Sequence, residues 1–432
     1  MFTGFEEALG WIHGRLKFGV KPGIERMKWF MEKLDHPEKK IKAIHIAGTN
    51  GKGSTVAFIR SILNESGYRV GTFTSPYIVT FNERISINGQ PISDDEWLFL
   101  VNQIKPLTEE LEKTELGAPT EFEIITACAF LYFSTCKNLD FVIFETGLGG
   151  RLDSTNVVEP VLTLITTIGH DHMAVLGSTL EEIAAEKAGI IKKNVPVITA
   201  VHQKNANEVI RIKAGEMNAE NISLHDACAI FNEKALSAGE EFSLETQAKL
   251  YENLQTSLIG SHQRQNASLA VLAAEKLNQS GLAVINECQI RDGLRKAVWP
   301  GRFEKISDDP PVYIDGAHNM EGVERLVDTV MDHFSGKHLY ICFSALKDKP
   351  YEKMIDKLDK MAYGIHFTSF EFPRAEHAKE LYQTSSSTNK SWGSQLSSIN
   401  EFIETCKKDK DSVVILTGSL YFISQARTML NK

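Results

Sequence analysis

Disulfide frameworks and zinc ribbons need clustered cysteines, and this chain has none. Its six cysteines (Cys128, Cys136, Cys228, Cys288, Cys342 and Cys406) lie far apart, without a C-x-x-C pair. Several stand in apolar runs, where cysteine behaves as a small hydrophobe, so reduced core thiols in a cytoplasmic protein are expected. Long apolar stretches are missing as well. The longest uncharged apolar-rich run, "IITACAFLYFSTC" from Ile124, falls short of the ~20 residues that span a bilayer as a helix. The opening "MFTGFEEALGWIHGRLKFG" carries acidic residues and no continuous apolar segment, which argues against a signal peptide. Basic excess is absent too, the formal net charge being -9. Nucleic acid and anionic membranes select for basic surfaces, so neither is an expected partner. A small anionic ligand, which feels only the local field of its pocket, remains open. No internal repeat is visible.

What the chain does have is a globular composition, 42% hydrophobic and 24% charged over 432 residues, enough for two or three domains. Short β-type runs alternate with segments of helical period. "IKAIHIAG" (41–48), "RVGTFTS", "DFVIFET", "VLTLITTI" and "VPVITA" read as strands, and most are continuously apolar, as parallel strands covered on both faces should be. Helices are expected from Ser54 and over 93–113, 121–135 and 178–188. The last opens with Ser178 and has Glu181 three residues on, a capping-box pattern. After residue 220 the periodicity weakens, until "HQRQNASLAVLAAEKLNQSG" restores a helix. The Pro-Gly break in "KAVWPGRFE" marks a domain boundary, giving domains 1–298 and 299–432. Beyond it "PVYIDG", "HLYICF", "GIHFTSF" and "SVVILTG" are strands, and the serine-rich stretch 384–398 reads as a mobile loop. The fold class is α/β, with two mostly parallel sheets, the second domain smaller.

The chemistry concentrates at strand ends. "HIAGTNGKGST" (45–55) departs from the usual phosphate loop because Gly53 separates Lys52 from Ser54 and Thr55. Its context is nevertheless strand, glycine turn, helix, which places backbone N–H groups and the positive end of a helix dipole at an anion site. Thr49, Asn50, Gly51, Lys52, Gly53, Ser54 and Thr55 are therefore candidate contacts to the phosphates of a nucleotide. Glu145 closes the strand "DFVIFE" before the glycine-rich "GLGGRLD", a carboxylate suited to a magnesium ion. His170, Asp171 and His172 cluster after "LTLITTI". Asp315 likewise ends an apolar strand.

The spacing G-T-N-G-K-G-S resembles the ATP loop of the Mur ligase superfamily, and within it the folylpolyglutamate synthase/dihydrofolate synthase family. "TSPYIVTFNERISING", "FVIFETGLGGRLDSTN", "GHDHMAVLGSTLEEIAAEKAGIIK", "LIGSHQRQNASLA", "WPGRFE", "IDGAHN", "FSALKDKP" and "LTGSLYFIS" follow in the family's order. The resemblance implies an N-terminal P-loop-type domain and a smaller Rossmann-like C-terminal α/β domain. It implies an ATP-dependent ligase that joins L-glutamate to a reduced folate through an acyl phosphate, with Mg2+ as cofactor; a monomer is expected, though the sequence itself does not decide the oligomeric state. By resemblance Asn266, Arg302, Asp315 and His318 surround ATP. Ser75, Glu145, His172 and Lys187 hold metal, with Lys52, His172 and Lys187 catalytic. Two histidines compete for the metal-binding place; His172 is preferred over His170. Thr120, Phe122, Leu152, Asp153 and Ser154 approach the folate. The matching lysine of the family is carbamylated, and a partly buried amine at Lys187 suits that modification. In "DGAHNMEG" methionine stands where the family often has proline.

Two rival readings remain. Peptidoglycan-precursor ligases of the same superfamily usually carry a UDP-sugar domain before the loop, and 47 residues before Gly48 leave no room for one. A catalytically silent nucleotide binder would not need Lys52, Glu145, His172, Lys187, Arg302 and Asp315 all in place. No residue decides between extending folate tails and also glutamylating dihydropteroate.

Overall fold

The computed structural model describes residues 1–19 and 21–431. They form two compact units, the first comprising Met1–Ala229, Leu244–Leu250 and Asn266–Ala297, the second Ile230–Ser243, Tyr251–Gln265 and Val298–Lys432. Among the described residues no helix is long and apolar enough to cross a membrane. All six cysteines are free thiols, and Cys128, Cys342 and Cys406 are buried.

Among the described residues the first unit is built on an eight-stranded sheet. Its strands are β1 (Ala43–Ala47), β2 (Val70–Phe73), β3 (Ile85–Ile87), β4 (Gln90–Pro91), β5 (Phe141–Glu145), β6 (Pro160–Ile165), β7 (Val197–Thr199) and β8 (Asn221–Ser223). They lie in the order β4-β3-β2-β5-β1-β6-β7-β8. From β2 to β8 every neighbour runs parallel, and antiparallel β3 and β4 close one edge. β1 and β5 are buried along their whole length, which accounts for their unbroken apolar sequence. Helix Glu121–Thr135 covers the sheet through Phe130, stacked on Phe144 with ring centroids 4.7 Å apart. Burying each such ring contributes about 2–3 kcal/mol. The central strands β2, β5, β1 and β6 deliver their following loops to one edge of the sheet, where open α/β folds bind ligands.

Helix Leu180–Ala188 begins one residue later than its sequence suggests. Thr179 is the N-cap, with Glu182 completing the capping box. The Glu182 carboxylate collects the N–H groups of both Ser178 and Thr179, at 2.7 and 3.1 Å, so the pattern starting at Thr179 wins over that at Ser178.

In the region of weak periodicity β9 (Ala229–Leu236), β10 (Gly239–Glu245) and β11 (Leu250–Thr256) form a small sheet. Most of β9 is exposed, so no buried face imprinted an alternation on its sequence. The stretches 230–243 and 251–265 belong to the second unit although they precede the Pro-Gly break. Fully buried Glu240 explains this: it accepts from Gly260 N (2.7 Å) and Arg264 Nη2 (2.6 Å) and pairs with His333 Nε2 (2.9 Å). A buried carboxylate paired on three sides fastens both stretches to helix Met320–His333.

The second unit's main sheet comprises β12 (Glu304–Asp308), β13 (Pro311–Ile314), β14 (His338–Phe343), β15 (Gly364–Thr368), β16 (Lys390–Gly393) and β17 (Ser412–Thr417). Its order is β12-β13-β17-β14-β15-β16, parallel except for the β12–β13 hairpin. The serine-rich stretch expected to be a loop therefore contains an edge strand, β16. Serines 391 and 398 bind the two ring nitrogens of His366 on β15, each at 2.9 Å, giving this polar segment partners that hydrophobic periodicity does not reveal.

Two buried histidines, His45 and His366, and the half-buried His262 make the fold sensitive to acid. Burial, with the Lys192 charge, lowers the His45 pKa to about 3. Burial, then the Arg325 and Arg302 charges, lowers His262 to about 3, and burial lowers His366 to about 4. The unfolded chain takes up these protons near pH 6.5 and the folded chain does not. Stability present above pH 6.5 is therefore lost as pH falls toward 4, by about 1.4 kcal/mol per pH unit for each histidine. Melting temperatures across pH 7.5–5 should fall steeply, and less steeply for His45→Gln.

Candidate active site

β1 runs out at Ala47, and the chain turns through Gly48–Gly51 into helix Lys52–Glu65. Gly51 is the N-cap with φ +86°, and a Cβ at this position would collide with the Asn266 side-chain amide. Only glycine suits both the left-handed backbone and that close approach. No side chain caps this helix, so its first-turn N–H groups face outward as donors for an anion. Threonines following β6 brace the loop. Thr166 and Thr167 hydroxyls donate to Asn50 O at 2.6 and 3.1 Å, and Thr167 Oγ1 accepts from Asn50 N at 3.0 Å. The Thr49 hydroxyl donates to Gly169 O at 3.2 Å and accepts from Gly169 N at 3.0 Å. Within the helix, Gly53 and Ser54 are buried and the Thr55 hydroxyl donates to Gly51 O at 2.9 Å.

Charges gather at the same place. Lys52 Nζ donates to Gly48 O at 3.0 Å and lies 4.0 Å from Glu145 Oε1. Parallel pairing sets Glu145 opposite Ile46, one residue short of the end of β1, which carries its carboxylate to the loop. Lys187 Nζ donates to the same Gly48 carbonyl, again at 3.0 Å, although 139 residues separate the two in sequence. Its side chain is buried, and that burial, then the Lys52 charge, lowers its pKa to about 7 against the opposing pull of Asp171 and Asp153. The amine is therefore poised near neutrality, and it serves the loop rather than its own helix end.

Asp171 is buried and accepts from His172 N at 2.9 Å, with the His172 ring 3.9 Å from its other oxygen. His172 itself is exposed, with φ +52°, as is His170. Ser75 stands half-buried just after β2. Among the described residues no three His, Cys, Asp or Glu side chains form a metal cage. A magnesium ion that takes most of its ligands from phosphate and water does not need one, and the oxygen of Glu145 suits it.

The residues assigned to folate cluster beside the glycine-rich loop. Thr120 caps helix Glu121–Thr135 in a capping box with Glu123. The tip of the Phe122 ring meets Gly147, leaving no space for a Cβ there. Leu152 is half-buried, Ser154 buried, and the Asp153 carboxylate accepts from Leu148 N and Thr155 N at 2.7 and 3.0 Å.

In the second unit Asp315 follows β13 and accepts from Phe303 N and Ala317 N at 3.0 and 2.9 Å. Burial raises its pKa against the nearby Arg302 charge. The Arg302 guanidinium rests on Gly316, and His318 Nδ1 pairs with Gly316 O at 2.8 Å. The structure thus gathers the loop 49–55, Glu145, Lys187 and Asn266 in the first unit, and Arg302, Asp315 and His318 in the second.

The Mur ligase middle domain matches residues 46–274, and the Mur ligase glutamate ligase domain matches residues 301–420. Dihydrofolate synthase/folylpolyglutamate synthase of Bacillus subtilis (strain 168) is 62% identical over 430 residues, covering 100% of each chain. The chain belongs to the folylpolyglutamate synthase/dihydrofolate synthase family. Among solved structures of the family, Mycobacterium tuberculosis folylpolyglutamate synthase complexed with ADP matches with TM-score 0.92 and 27% identity, over 99% of this chain and 98% of that one. A folylpolyglutamate synthase–AMPPCP–folate complex matches with TM-score 0.85 and 30% identity, over 100% of both chains. Against this family background, sequence reasoning missed Thr166 and Thr167. Their one signal was a pair of hydroxyl residues closing an apolar strand in "VLTLITTI".

Proposed function

We propose that the chain uses ATP to join L-glutamate to the glutamyl tail of reduced folates, by way of an acyl phosphate. The observation that carries this reading is the meeting of Lys52 and Lys187 on the Gly48 carbonyl, beside Glu145 and an uncapped helix start. The substrate carboxylate is a poor electrophile until an oxygen of it attacks the γ-phosphorus and ADP departs. The glutamate amine then attacks the activated carbonyl, and phosphate leaves with the bridging oxygen. Backbone N–H groups at the start of helix Lys52–Glu65 receive the phosphates, and the Lys52 ammonium offsets charge on the transferring group.

Magnesium would neutralise phosphate oxygens here, held by Glu145, Ser75, His172 and Lys187. For Lys187 to serve, its amine adds to carbon dioxide, forming an N–C bond and releasing a proton, which yields an anionic carbamate. Two features favour this: the amine titrates near pH 7, and the positive Lys52 stands close enough to stabilise the anion. Asn266, Arg302, Asp315 and His318 are further candidate ATP contacts. Thr120, Phe122, Leu152, Asp153 and Ser154 form the folate side. The ATP-binding and glutamate-ligase domains change over in sequence near the Pro-Gly break, with stretches 230–243 and 251–265 joining the second unit.

Glutamylation of dihydropteroate is a second activity, favoured by the double name of the Bacillus subtilis relative. Purified protein offered tetrahydrofolate or dihydropteroate separately, with ATP, magnesium and glutamate, should add glutamyl residues to the first substrate. Products resolved by mass decide both activities, and no addition to either substrate would refute the ligase reading.

Glu145→Gln preserves volume but removes the charge. We expect its magnesium half-saturation to rise at least about tenfold and kcat to fall about a hundredfold, with the fold intact. Unchanged magnesium dependence would make Glu145 only a strand terminus.

A further inference from the structure

The short turn after the glycine-rich loop reaches three parts of the site at once. Ser154–Val157 forms a single 3-10 turn, and its cap residue Asp153, with Thr155 and Asn156, is buried. The Thr155 hydroxyl lies 2.5 Å from Asp153 Oδ1 and 2.8 Å from His45 Nε2. A carboxylate can only accept, so the hydroxyl proton goes to Asp153 and the hydroxyl oxygen accepts from His45 Nε2–H. This fixes the tautomer of His45, which sits on β1 and is fully buried. Its Nδ1 has no hydrogen-bond partner.

Asp153 Oδ2 meanwhile holds Leu148 N at 2.7 Å, three residues beyond Glu145. Asn156 Nδ2 donates to Arg151 O at 3.0 Å and to Gly189 O at 3.1 Å. The second contact grips the end of helix Leu180–Ala188, which carries Lys187. Arg151 N donates to Glu186 O at 2.7 Å, closing the glycine-rich loop onto that helix. The Asn156 carbonyl is held in turn by Lys192 Nζ at 2.7 Å.

We propose that this turn is the positioning element of the site: His45, Thr155 and Asn156 register β1, the loop after Glu145 and the helix of Lys187 against one another. His45, Thr155 and Asn156 are buried, and their side-chain polar atoms find partners within the protein except at His45 Nδ1 and Asn156 Oδ1, so the set acts through Glu145 and Lys187 rather than by touching substrate. The conclusion rests on the ligase reading above. A misplacement of about 1 Å at reacting groups costs on the order of a hundredfold in rate, which gives such a device its leverage.

Thr155→Val and Thr155→Ser form the test, since valine keeps the volume and loses the hydroxyl while serine keeps the hydroxyl. For Thr155→Val we expect kcat to fall at least about tenfold, with KM for folate and glutamate within about twofold, and weaker Mg-ATP binding by calorimetry. Thr155→Ser should stay within about threefold of the parent. A Thr155→Val protein that melts lower but keeps parental kcat and Mg-ATP affinity overturns the proposal. Should Thr155→Val fail to fold, His45→Gln and His45→Leu carry the same test. The glutamine amide reaches the Nε2 position and should preserve kcat, and leucine should not; equal kcat in the two would overturn the proposal. A parent that binds Mg-ATP yet ligates nothing removes the ligase reading instead, and the calorimetric comparison still judges the turn.

Discussion

Lys52→Ala is expected to lose about a thousandfold or more in glutamate ligation while remaining folded. The ammonium lies 4.0 Å from Glu145 and donates to the Gly48 and Thr49 carbonyls. The Gly48 carbonyl keeps Lys187 Nζ as a donor, so the stability cost is about 1 kcal/mol. Catalysis is different, because charge on a transferring phosphoryl group is stabilised by preorganised donors, each contributing several kcal/mol. Loss of Lys52 also removes the charge that helps lower the Lys187 pKa, so the two effects compound. The checks are steady-state ligation and a melting curve on the same preparation. Near-parental ligation by a folded Lys52→Ala protein would remove the nucleotide-loop assignment.

Lys187→Ala should be similarly inactive, about a thousandfold below the parent, and for a separable reason. If the residue supplied charge alone, Lys187→Arg would retain most of the activity; if it carries a carbamate, arginine cannot replace it. We expect Lys187→Arg to be as inactive as alanine. Acetate or formate should partly restore Lys187→Ala by returning an anionic oxygen to the vacated space. A carbon-13 carbamate signal after incubation with labelled bicarbonate should appear in the parent and vanish in both variants. Parental activity in Lys187→Arg, or an unmodified amine in fully active protein, would return Lys187 to an electrostatic role.

Much of the fold was legible because parallel strands covered on both faces must be apolar throughout. "AIHIA", "FVIFE" and "SVVILT" announce themselves in this way and prove fully buried. Where a strand is solvated, that signal disappears. β9 is mostly exposed, and no residue of β16 is fully buried, its Ser391 finding a partner in His366 on the neighbouring strand. The helix start at Thr179 slipped by one because consecutive Ser-Thr and Glu-Glu pairs offer two overlapping capping boxes, and local sequence does not rank them. At the site, glycines, lysines and strand-end carboxylates were visible as residue types in suggestive positions. The braces were not. Thr166, Thr167, His45, Thr155 and Asn156 act through contacts across long sequence separations, such as the 110 residues between His45 and Thr155. Buried polar residues of this kind look like ordinary core filler until their partners are known.

The ATP-dependent activation of a carboxylate is tested most directly by following its oxygen. Tetrahydrofolate monoglutamate labelled with oxygen-18 in the γ-carboxylate would be ligated to glutamate with unlabelled ATP, and the released phosphate analysed by mass. One labelled oxygen should pass into the phosphate with each ligation, because the bridging oxygen of the acyl phosphate comes from the substrate. Phosphate released without label, while glutamate is joined at the normal rate, would contradict carboxylate activation at this site.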